Sequence, residues 1–426
     1  MNTPRKTGSG IGTTRRRVLK GAAALAGTAA FPAPFVHAQE RVTLRYLSTA
    51  VNQSPAIAEK ASEDLGIDIE YIAVNTDEVP RRVITQPNSF DLVDSEYFSL
   101  PNLMPSGNMM GMDANRIDRI DELATVISRG MVNGEKVGWE GTAPHEVLYL
   151  EDKTATTFAS EPTEWITLIP TTYNADTLGL RPDLIDKEIT SWASLLDPDF
   201  AGKAAILNIP SIGIMDAAMA IEARGDITYG DKGNMTRDEI DFTIEKLIEA
   251  KRAGQFRAFW SNFQESVNLM ASGEVVIQSM WSPAVTAVRT QGIPCVYQPL
   301  TEGYRAWASG FGLPRTLDGR KEDAAYEFIN WFLSGWAGAH LSRQGYYPAV
   351  LDTARDYMEP YEWAYWYEGK PAEQDIMAPD GRLLEQAGAV RDGGSYEARM
   401  GSVACWNAVM DENQYMVRKW NEFIAA

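Results

Sequence analysis

The sequence predicts an α/β fold of two lobes, each built on a mixed, mostly parallel sheet flanked by helices. Residues 42–47 alternate like a strand, 56–65 have a helical pattern and 67–71 alternate again. This order is typical of a parallel βαβ unit. The same order recurs further along the chain, and about 388 residues follow residue 38. That length exceeds one ordinary hydrophobic core, so two lobes are expected.

The first 38 residues have the parts of a secretory signal peptide. Residues 14–20 (TRRRVLK) precede an apolar run at 21–31, and Val-His-Ala ends at Ala38. The paired arginines resemble the twin-arginine type. A membrane anchor needs about 20 continuous apolar residues, whereas Pro32 and Pro34 interrupt this run. We therefore expect cleavage before Gln39 and a protein that diffuses freely in the periplasm, because no cysteine follows the cleavage site.

The charge excludes some partners. The chain has 39 basic and 58 acidic residues, and residues 1–38 hold six of the basic and none of the acidic ones, so the remainder carries 33 against 58, a net charge of −25. Such a surface repels nucleic acid and anionic lipid. Beyond the signal peptide the only histidines are His145 and His340. We expect no metal site and no cofactor, because no His/Cys cluster has ligand spacing.

The middle and end of the chain add further elements. The patterns predict strands at 165–170, 203–207 and 274–278, and helices at 190–195, 236–253 and 323–343. Thr190 is the expected N-cap of the first of these helices, and Gly345 is the expected stop after the last. Phe328, Phe332, Leu333 and Trp336 recur at helical spacing and are expected in the core.

A polar cluster marks a candidate site. Residues 90–93 are predicted as a strand that ends at Asp94, Ser95, Glu96 and Tyr97. Ligands of open α/β sheets bind beyond the carboxyl ends of strands. The cluster is therefore well placed to face a ligand.

Several ordered segments together resemble the spermidine/putrescine-binding type of bacterial extracellular solute-binding proteins. The segments are the opening strand with its polar turn, 90–97, 190–195 with 198–203, 271–275 with 280–282, and 328–333 with 345–348. The resemblance covers nearly all of the chain after residue 38. Each segment alone is weak evidence, whereas their order and spacing are specific.

The resemblance implies a two-lobed periplasmic-binding-protein fold with a hinge that the chain crosses twice. Lobe 1 is then 39–170 plus 310–350, and lobe 2 is 171–309 plus 351–426. Such lobes close around a ligand by hinge motion. The resemblance further implies a non-catalytic, monomeric protein that captures a small molecule and delivers it to an ABC permease of the inner membrane.

The family's ligand-facing positions carry over to particular residues here. They are Ser48, Ser95, Tyr97, Trp281, Trp307, Ser309, Tyr346 and Tyr347, with Trp260 and Trp406 as further candidates. Core packing is the alternative for all four tryptophans.

The chain departs from the family pattern where polyamine binders place acids. Ser309 stands at one such position, and 209–214 (IPSIGI) replaces an expected acidic pair. Asp94, Glu96 and Asp216 are nearby substitutes. A buried ammonium needs a paired charge or aromatic faces, so a polyamine-like cation, another small amine, a zwitterion and a neutral solute all stay open.

Two other functions remain as alternatives. A periplasmic hydrolase or lyase could use paired carboxylates such as Glu362 with Glu368, or Asp411 with Glu412. A sensor would dock on a membrane receptor instead of a permease. Cys295 and Cys405 are expected as two buried thiols, although a disulfide is chemically permitted in the periplasm.

Overall fold

A computed structural model describes residues 41–426. The predicted signal peptide, residues 1–38, lies outside the described residues. No helix within 41–426 has both the length and the apolar character that a membrane span requires.

Strands and helices alternate through most of this part of the chain. The strands are β1 Val42–Ser48, β2 Ile67–Ala73, β3 Leu92–Glu96, β4 Met109–Met110, β5 Met112–Asp113, β6 Met131–Val132, β7 Glu135–Lys136, β8 Tyr149–Leu150, β9 Trp165–Ile166, β10 Ile169–Leu180, β11 Ala204–Leu207, β12 Phe256–Trp260, β13 Ile277–Met280, β14 Val296–Gln298, β15 Tyr304–Pro314, β16 Tyr347–Pro348, β17 Ile376–Met377, β18 Leu383–Glu385 and β19 Val403–Trp406. The helices are α1 Pro55–Leu65, α2 Glu78–Thr85, α3 Leu100–Leu103, α4 Thr125–Ser128, α5 Pro210–Ala223, α6 Arg237–Arg252, α7 Phe263–Ser272, α8 Ser282–Arg289, α9 Gly319–Leu333, α10 Trp336–Ser342, α11 Leu351–Arg355, α12 Pro360–Trp366, α13 Tyr396–Met400 and α14 Asn413–Ala425.

Twelve of the strands form one mixed sheet, whose main path is β12-β11-β13-β10-β15-β3-β1-β2. The first βαβ unit is as predicted: β1 pairs in parallel with β2 from Val42 opposite Ile67 to Ser48 opposite Ala73. Gly66 ends the intervening helix in a left-handed conformation, with φ of 70°. Such a C-terminal cap favours glycine because it has no Cβ. A second parallel group is formed by β11 with β12 and β13.

The two long strands β10 and β15 belong to both halves of the sheet. Residues 169–176 of β10 pair antiparallel with β15, and 177–180 pair with β13. On β15, 309–312 pair with β3 and 304–306 pair with β19. The chain therefore passes twice between the two halves through continuous strands.

Buried apolar side chains form two clusters, and both include residues of the long strand β10. The larger cluster includes Leu44, Val93 and Phe328. The second cluster includes Trp192 and Trp420, with buried faces of α5 and α6. Two cores in one mixed α/β sheet are what the predicted fold class requires.

Two predicted strands end in the wrong place. The polar residues 94–96 lie inside β3, where Asp94, Ser95 and Glu96 oppose Phe311, Gly310 and Ser309 of β15. The backbone partners supplied by β15 keep these polar residues extended. Similarly, the pattern at 165–170 divides into β9 and the start of β10, which continues through a buried polar stretch to Leu180.

The predicted helices are partly confirmed. Thr236 caps α6 with the reciprocal partner Glu239, as the 236–253 pattern predicts. The 190–195 pattern is instead a 3₁₀ turn at Trp192–Leu196, capped by Ser191 rather than Thr190. The predicted strand at 274–278 begins only at Ile277.

The long predicted helix at 323–343 is two helices, α9 and α10, which are separated at Gly335. This glycine has φ of 119°, and a Cβ there would lie 2.1 Å from the carbonyl oxygen of Thr353. Only glycine fits such a close approach at that backbone angle. Phe328, Phe332 and Leu333 are buried as predicted, whereas Trp336 is partly exposed.

Residues 137–142, which we call the strap, lie along β19. The amide of Trp406 donates to the carbonyl of Glu140 at 2.9 Å, and the amide of Gly138 donates to Val403 at 3.1 Å. Gly141 has φ of 82°, and a Cβ there would lie 2.0 Å from the carbonyl oxygen of Trp406. The strap therefore follows β7 in the chain and packs against β19, the strand that pairs with residues 304–306 of β15.

Candidate functional site

Asp94 is the centre of a buried polar network where β1, β3, β10 and β15 meet. The hydroxyl groups of Tyr46 and Thr171 donate to its Oδ2 at 3.0 and 3.1 Å, and the Asn52 amide donates to the same atom. Ser309 Oγ lies 3.0 Å from Thr171 Oγ1. Burial raises the pKa of Asp94, and hydrogen bonds from its partners oppose that shift. The network joins both long strands to the first βαβ unit.

A recess opens beside this network. It encloses about 240 Å³ between atoms, part of which is open to solvent. Its polar walls are Thr49, Thr76, Asp94, Ser95, Glu96, Ser99 and Ser309. The space within it that a water-sized sphere can occupy is about 10 Å³, which is room for roughly one water molecule, so a solute would fit only after the walls of the recess move apart.

Two recess residues carry polar atoms that the protein leaves available. Ser95 Oγ is buried and has no hydrogen-bond partner among the described residues. Glu96 is partly exposed at the end of β3. Burial raises the pKa of Glu96 to about 8, whereas the Asn407 side chain and the charge of Arg305 act in the opposite direction.

Arg305 is the centre of a buried ion cluster next to Glu96. Its Nε lies 2.6 Å from Asp216 Oδ1, and its Nη2 lies 3.4 Å from Asp176 Oδ2. Its Nη1 donates to Asn407 Oδ1 at 2.6 Å. Burial raises the pKa of Asp176 to about 6, although Arg305 lowers it. One guanidinium thus faces three carboxyl groups, counting Glu96.

Four of the predicted aromatic residues form two pairs. Trp307 and Tyr346 are partly exposed and meet edge to face, with ring centroids 6.0 Å apart. Trp260 and Trp281 meet in the same way at 4.8 Å. Trp307 lies opposite Asn174, whose amide donates to the carbonyl of Gly345 at 3.2 Å. The pair of Trp307 and Tyr346 therefore lies at the junction of β10 and β15.

The Trp307–Tyr346 pair is linked to the ion cluster. A hydrogen bond from Trp307 favours the ionised form of Asp176 and so lowers its pKa. Burial raises the pKa of Tyr346, and the negative charge of Asp176 raises it further. Aromatic faces and carboxylates therefore lie side by side.

The other predicted site residues have polar or packing contacts of their own. Ser48 Oγ donates to the Thr49 carbonyl at 2.6 Å, and Tyr97 donates to the Leu168 carbonyl at 2.7 Å. Tyr347 is fully buried and its hydroxyl lacks a partner among the described residues. Trp406 is buried against the strap. Of the predicted set, Ser95 and Ser309 line the recess.

Three of the four carboxylates considered for hydrolysis form ion pairs with basic side chains. Glu362 is buried, and its Oε2 lies 2.6 Å from Arg343 Nη2. It also completes the cap of α12. Glu368 pairs with Lys370, and Glu412 pairs with Arg237. Cys295 and Cys405 are buried and free, as expected. Within 41–426, no three potential ligands cluster as a metal site.

Sequence reasoning missed Asn52, Thr171, Asp176 and Arg305. Asp176 and Arg305 are charged residues within long buried strands, and their side chains are at most 2% exposed. A buried charge inside a strand requires a partner. Asp176 faces Arg305 directly in the pairing of β10 with β15, but that pairing connects distant parts of the chain.

Two cores, two shared strands and a polar recess beside those strands together define a two-lobed binding protein. Residues 56–362 match the family model of bacterial extracellular solute-binding proteins. This match spans more than half of the chain, and the chain belongs to that family. No curated protein matches it.

Solved structures of binding proteins share the fold. The spermidine/putrescine ABC transporter substrate-binding protein PotD from Streptococcus pneumoniae is 13% identical, with a TM-score of 0.58 over 90% of this chain and 98% of that one. An ABC transporter substrate-binding protein from Bradyrhizobium japonicum is 15% identical, with a TM-score of 0.60 over 90% and 100%. The protein MotA from A. tumefaciens, solved with glucopine, is 16% identical, with a TM-score of 0.57 over 90% and 99%.

Proposed function

We propose that the chain is the periplasmic ligand-capturing component of an ABC import system. It binds a small organic solute, polyamine-like or another amine, between two lobes and delivers it to a permease of the inner membrane. It acts as a monomer, without catalysis of its own. One lobe comprises 39–170 plus 310–350, and the other comprises 171–309 plus 351–426.

The observation that carries this proposal is the recess beside the two shared strands. A solute there would contact Ser95 and Glu96 of the lobe that contains β3, and Ser309, the last residue of segment 171–309 of the other lobe. A ligand shifts a hinge equilibrium only by contacts that differ between the open and closed forms. Contacts from both halves satisfy this condition.

The balance of charge favours an amine. Glu96, Asp176 and Asp216 surround the single guanidinium of Arg305. An ammonium group would neutralise part of this excess, and the Trp307–Tyr346 pair offers aromatic faces for it. Such faces contribute about 0.5 to 2 kcal/mol each by cation–π attraction.

The test is a thermal-shift screen on protein that has been unfolded, dialysed and refolded to remove bound solute. The panel contains amines, zwitterions, sugars and organic acids. A solute at 100 times its Kd adds about 2.7 kcal/mol of stability. At least one amine should raise Tm without being consumed. The proposal fails if no solute in the panel raises Tm, or if a bound solute is converted to product.

A further inference from the structure

We propose that Glu96 is a proton-exchanging residue of the recess, so that an organic cation binds to its ionised carboxylate and displaces the proton that it carries in the solute-free protein. This inference rests on the proposed function, because it requires a solute that binds in the recess.

The first observation behind this inference is the position of Glu96 in the recess. It is the last residue of β3, opposite Ser309 of β15, and it lines the recess while remaining partly exposed. The other carboxyl group of the recess, Asp94, is buried and already accepts three hydrogen bonds. Glu96 is therefore the recess carboxyl that an entering cation can reach.

The groups around Glu96 leave its charge poorly compensated. Arg305 on β15 directs its ion pairs to Asp176 on β10 and Asp216 on α5. The Asn407 side chain is neutral: its Oδ1 accepts from Arg305, and its hydrogen bond to Glu96 lowers the pKa of that carboxyl group without offsetting the effect of burial. Asp94 on its own strand adds a further carboxyl group.

The remaining recess walls add no charge. They are Thr49 in the loop after β1, Thr76 before α2, Val79 on α2, and Ser99 and Ser309. Three carboxyl groups, those of Glu96, Asp176 and Asp216, thus face one guanidinium, and Asp94 adds a further carboxyl group near Glu96. Like charges and poor hydration both favour the protonated carboxyl, in agreement with the raised pKa of Glu96, about 8.

A bound cation reverses this preference of Glu96 for the protonated form. The protonated carboxyl group loses its proton to solvent, and the carboxylate that remains forms an ion pair with the cation. No covalent bond to carbon forms or breaks. A solute with a fixed positive charge cannot supply the proton itself, so any proton released on its binding comes from the protein.

The experiment is isothermal titration calorimetry of solute-free protein in two buffers of different ionisation enthalpy, which counts the protons released. The probes are choline, putrescine and spermidine, with 3,3-dimethylbutan-1-ol and butane-1,4-diol as uncharged counterparts of the first two. A group with a pKa of about 8 should release about 0.9 proton per bound cation at pH 7 and about 0.1 at pH 9.

Two variants locate the source of the proton. Glu96→Gln should abolish most of the release and make cation affinity independent of pH between 6 and 8. Glu63→Gln, at an exposed carboxylate of α1, should behave like the wild type. The melting temperature of each variant confirms that it is folded.

The outcomes separate this inference from the proposed function. Cation binding without proton release, or undiminished release from Glu96→Gln, overturns the inference. Binding of the uncharged counterparts or other uncharged solutes while all three cations fail overturns it as well, but leaves solute capture intact. If neither these probes nor the wider solute panel bind, both proposals fail.

Discussion

Lys232 Nζ lies 2.8 Å from Glu140 Oε1, and both side chains are less than a tenth exposed. The backbone amide of Lys232 also donates to Glu140 Oε2 at 2.8 Å, and Glu222 lies 2.7 Å from Lys232 Nζ. This ion pair holds the strap against the loop that precedes α6. The strap is thus a third connection beside the two shared strands.

Replacing Lys232 by Met should therefore destabilise the protein strongly. Removing one partner leaves Glu140 charged and buried, which costs about 3 to 5 kcal/mol. Chemical denaturation measures the loss. Lys187→Met is the matched control, because Lys187 also pairs with two acids but is 40% exposed. Its loss should stay under about 1 kcal/mol, and equal losses in the two variants would contradict this role of the strap.

Arg305→Met should produce a defect that depends on pH. The change leaves Asp176 and Asp216 buried without their guanidinium. At pH 8 the loss should be about 3 to 5 kcal/mol. At pH 5 it should be smaller, because the two carboxyl groups can then be protonated. A loss that is constant from pH 5 to pH 8 would show that the cluster is not held by charge.

The wild-type protein without solute should lose stability as pH rises from 5 to 8. The pKa values of Asp176 and Glu96 are raised in the folded state, to about 6 and about 8. Their stabilising effect is complete below their ordinary pKa values and is lost as pH rises through 6 and 8. Since Glu96 is partly exposed, we expect its contribution to this loss in the free energy of unfolding to be on the order of 1 to 3 kcal/mol.

Glu96→Gln should remove the part of this loss that falls between pH 6 and 8. Asp91→Asn is a suitable control, because Arg45 and Lys321 bind the Asp91 carboxylate and its pKa is lowered to about 2. The stability that the Asp91 carboxylate contributes is lost only as pH falls from about 4 towards 2. Asp91→Asn should therefore leave the slope between pH 6 and 8 unchanged, and a flat slope in the wild type would count against a protonated Glu96.

Trp307→Ala should weaken solute binding with little effect on folding. Trp307 is partly exposed and meets Tyr346 beside Asp176. Loss of an aromatic face for a cation corresponds to about a tenfold rise in Kd. Trp139→Ala serves as the control, because Trp139 is 75% exposed. Calorimetric Kd values that rise equally in both variants would place the solute elsewhere.

The sequence predicted the parallel βαβ unit well, because the alternation of β1 and β2 and the helical pattern between them are local. The resemblance also predicted Ser95 and Ser309 as site residues, and both line the recess. Sequence reasoning failed where tertiary contacts override local preference. The polar residues Asp94 and Thr171 were expected beyond the ends of the strands predicted at 90–93 and 165–170, yet neighbouring strands pair their backbones and keep them extended. Asp176 and Arg305 were missed because each satisfies the other across distant segments.

A crystal structure of the protein loaded with its own solute tests the central claim most directly. Native mass spectrometry of protein purified from its own periplasm first shows that solute is present. We expect solute in the recess, within about 3.5 Å of Glu96 and Ser95, a hydrogen-bonding distance, and beside Trp307. Solute bound elsewhere in a loaded protein, with the recess occupied only by water, would contradict the account.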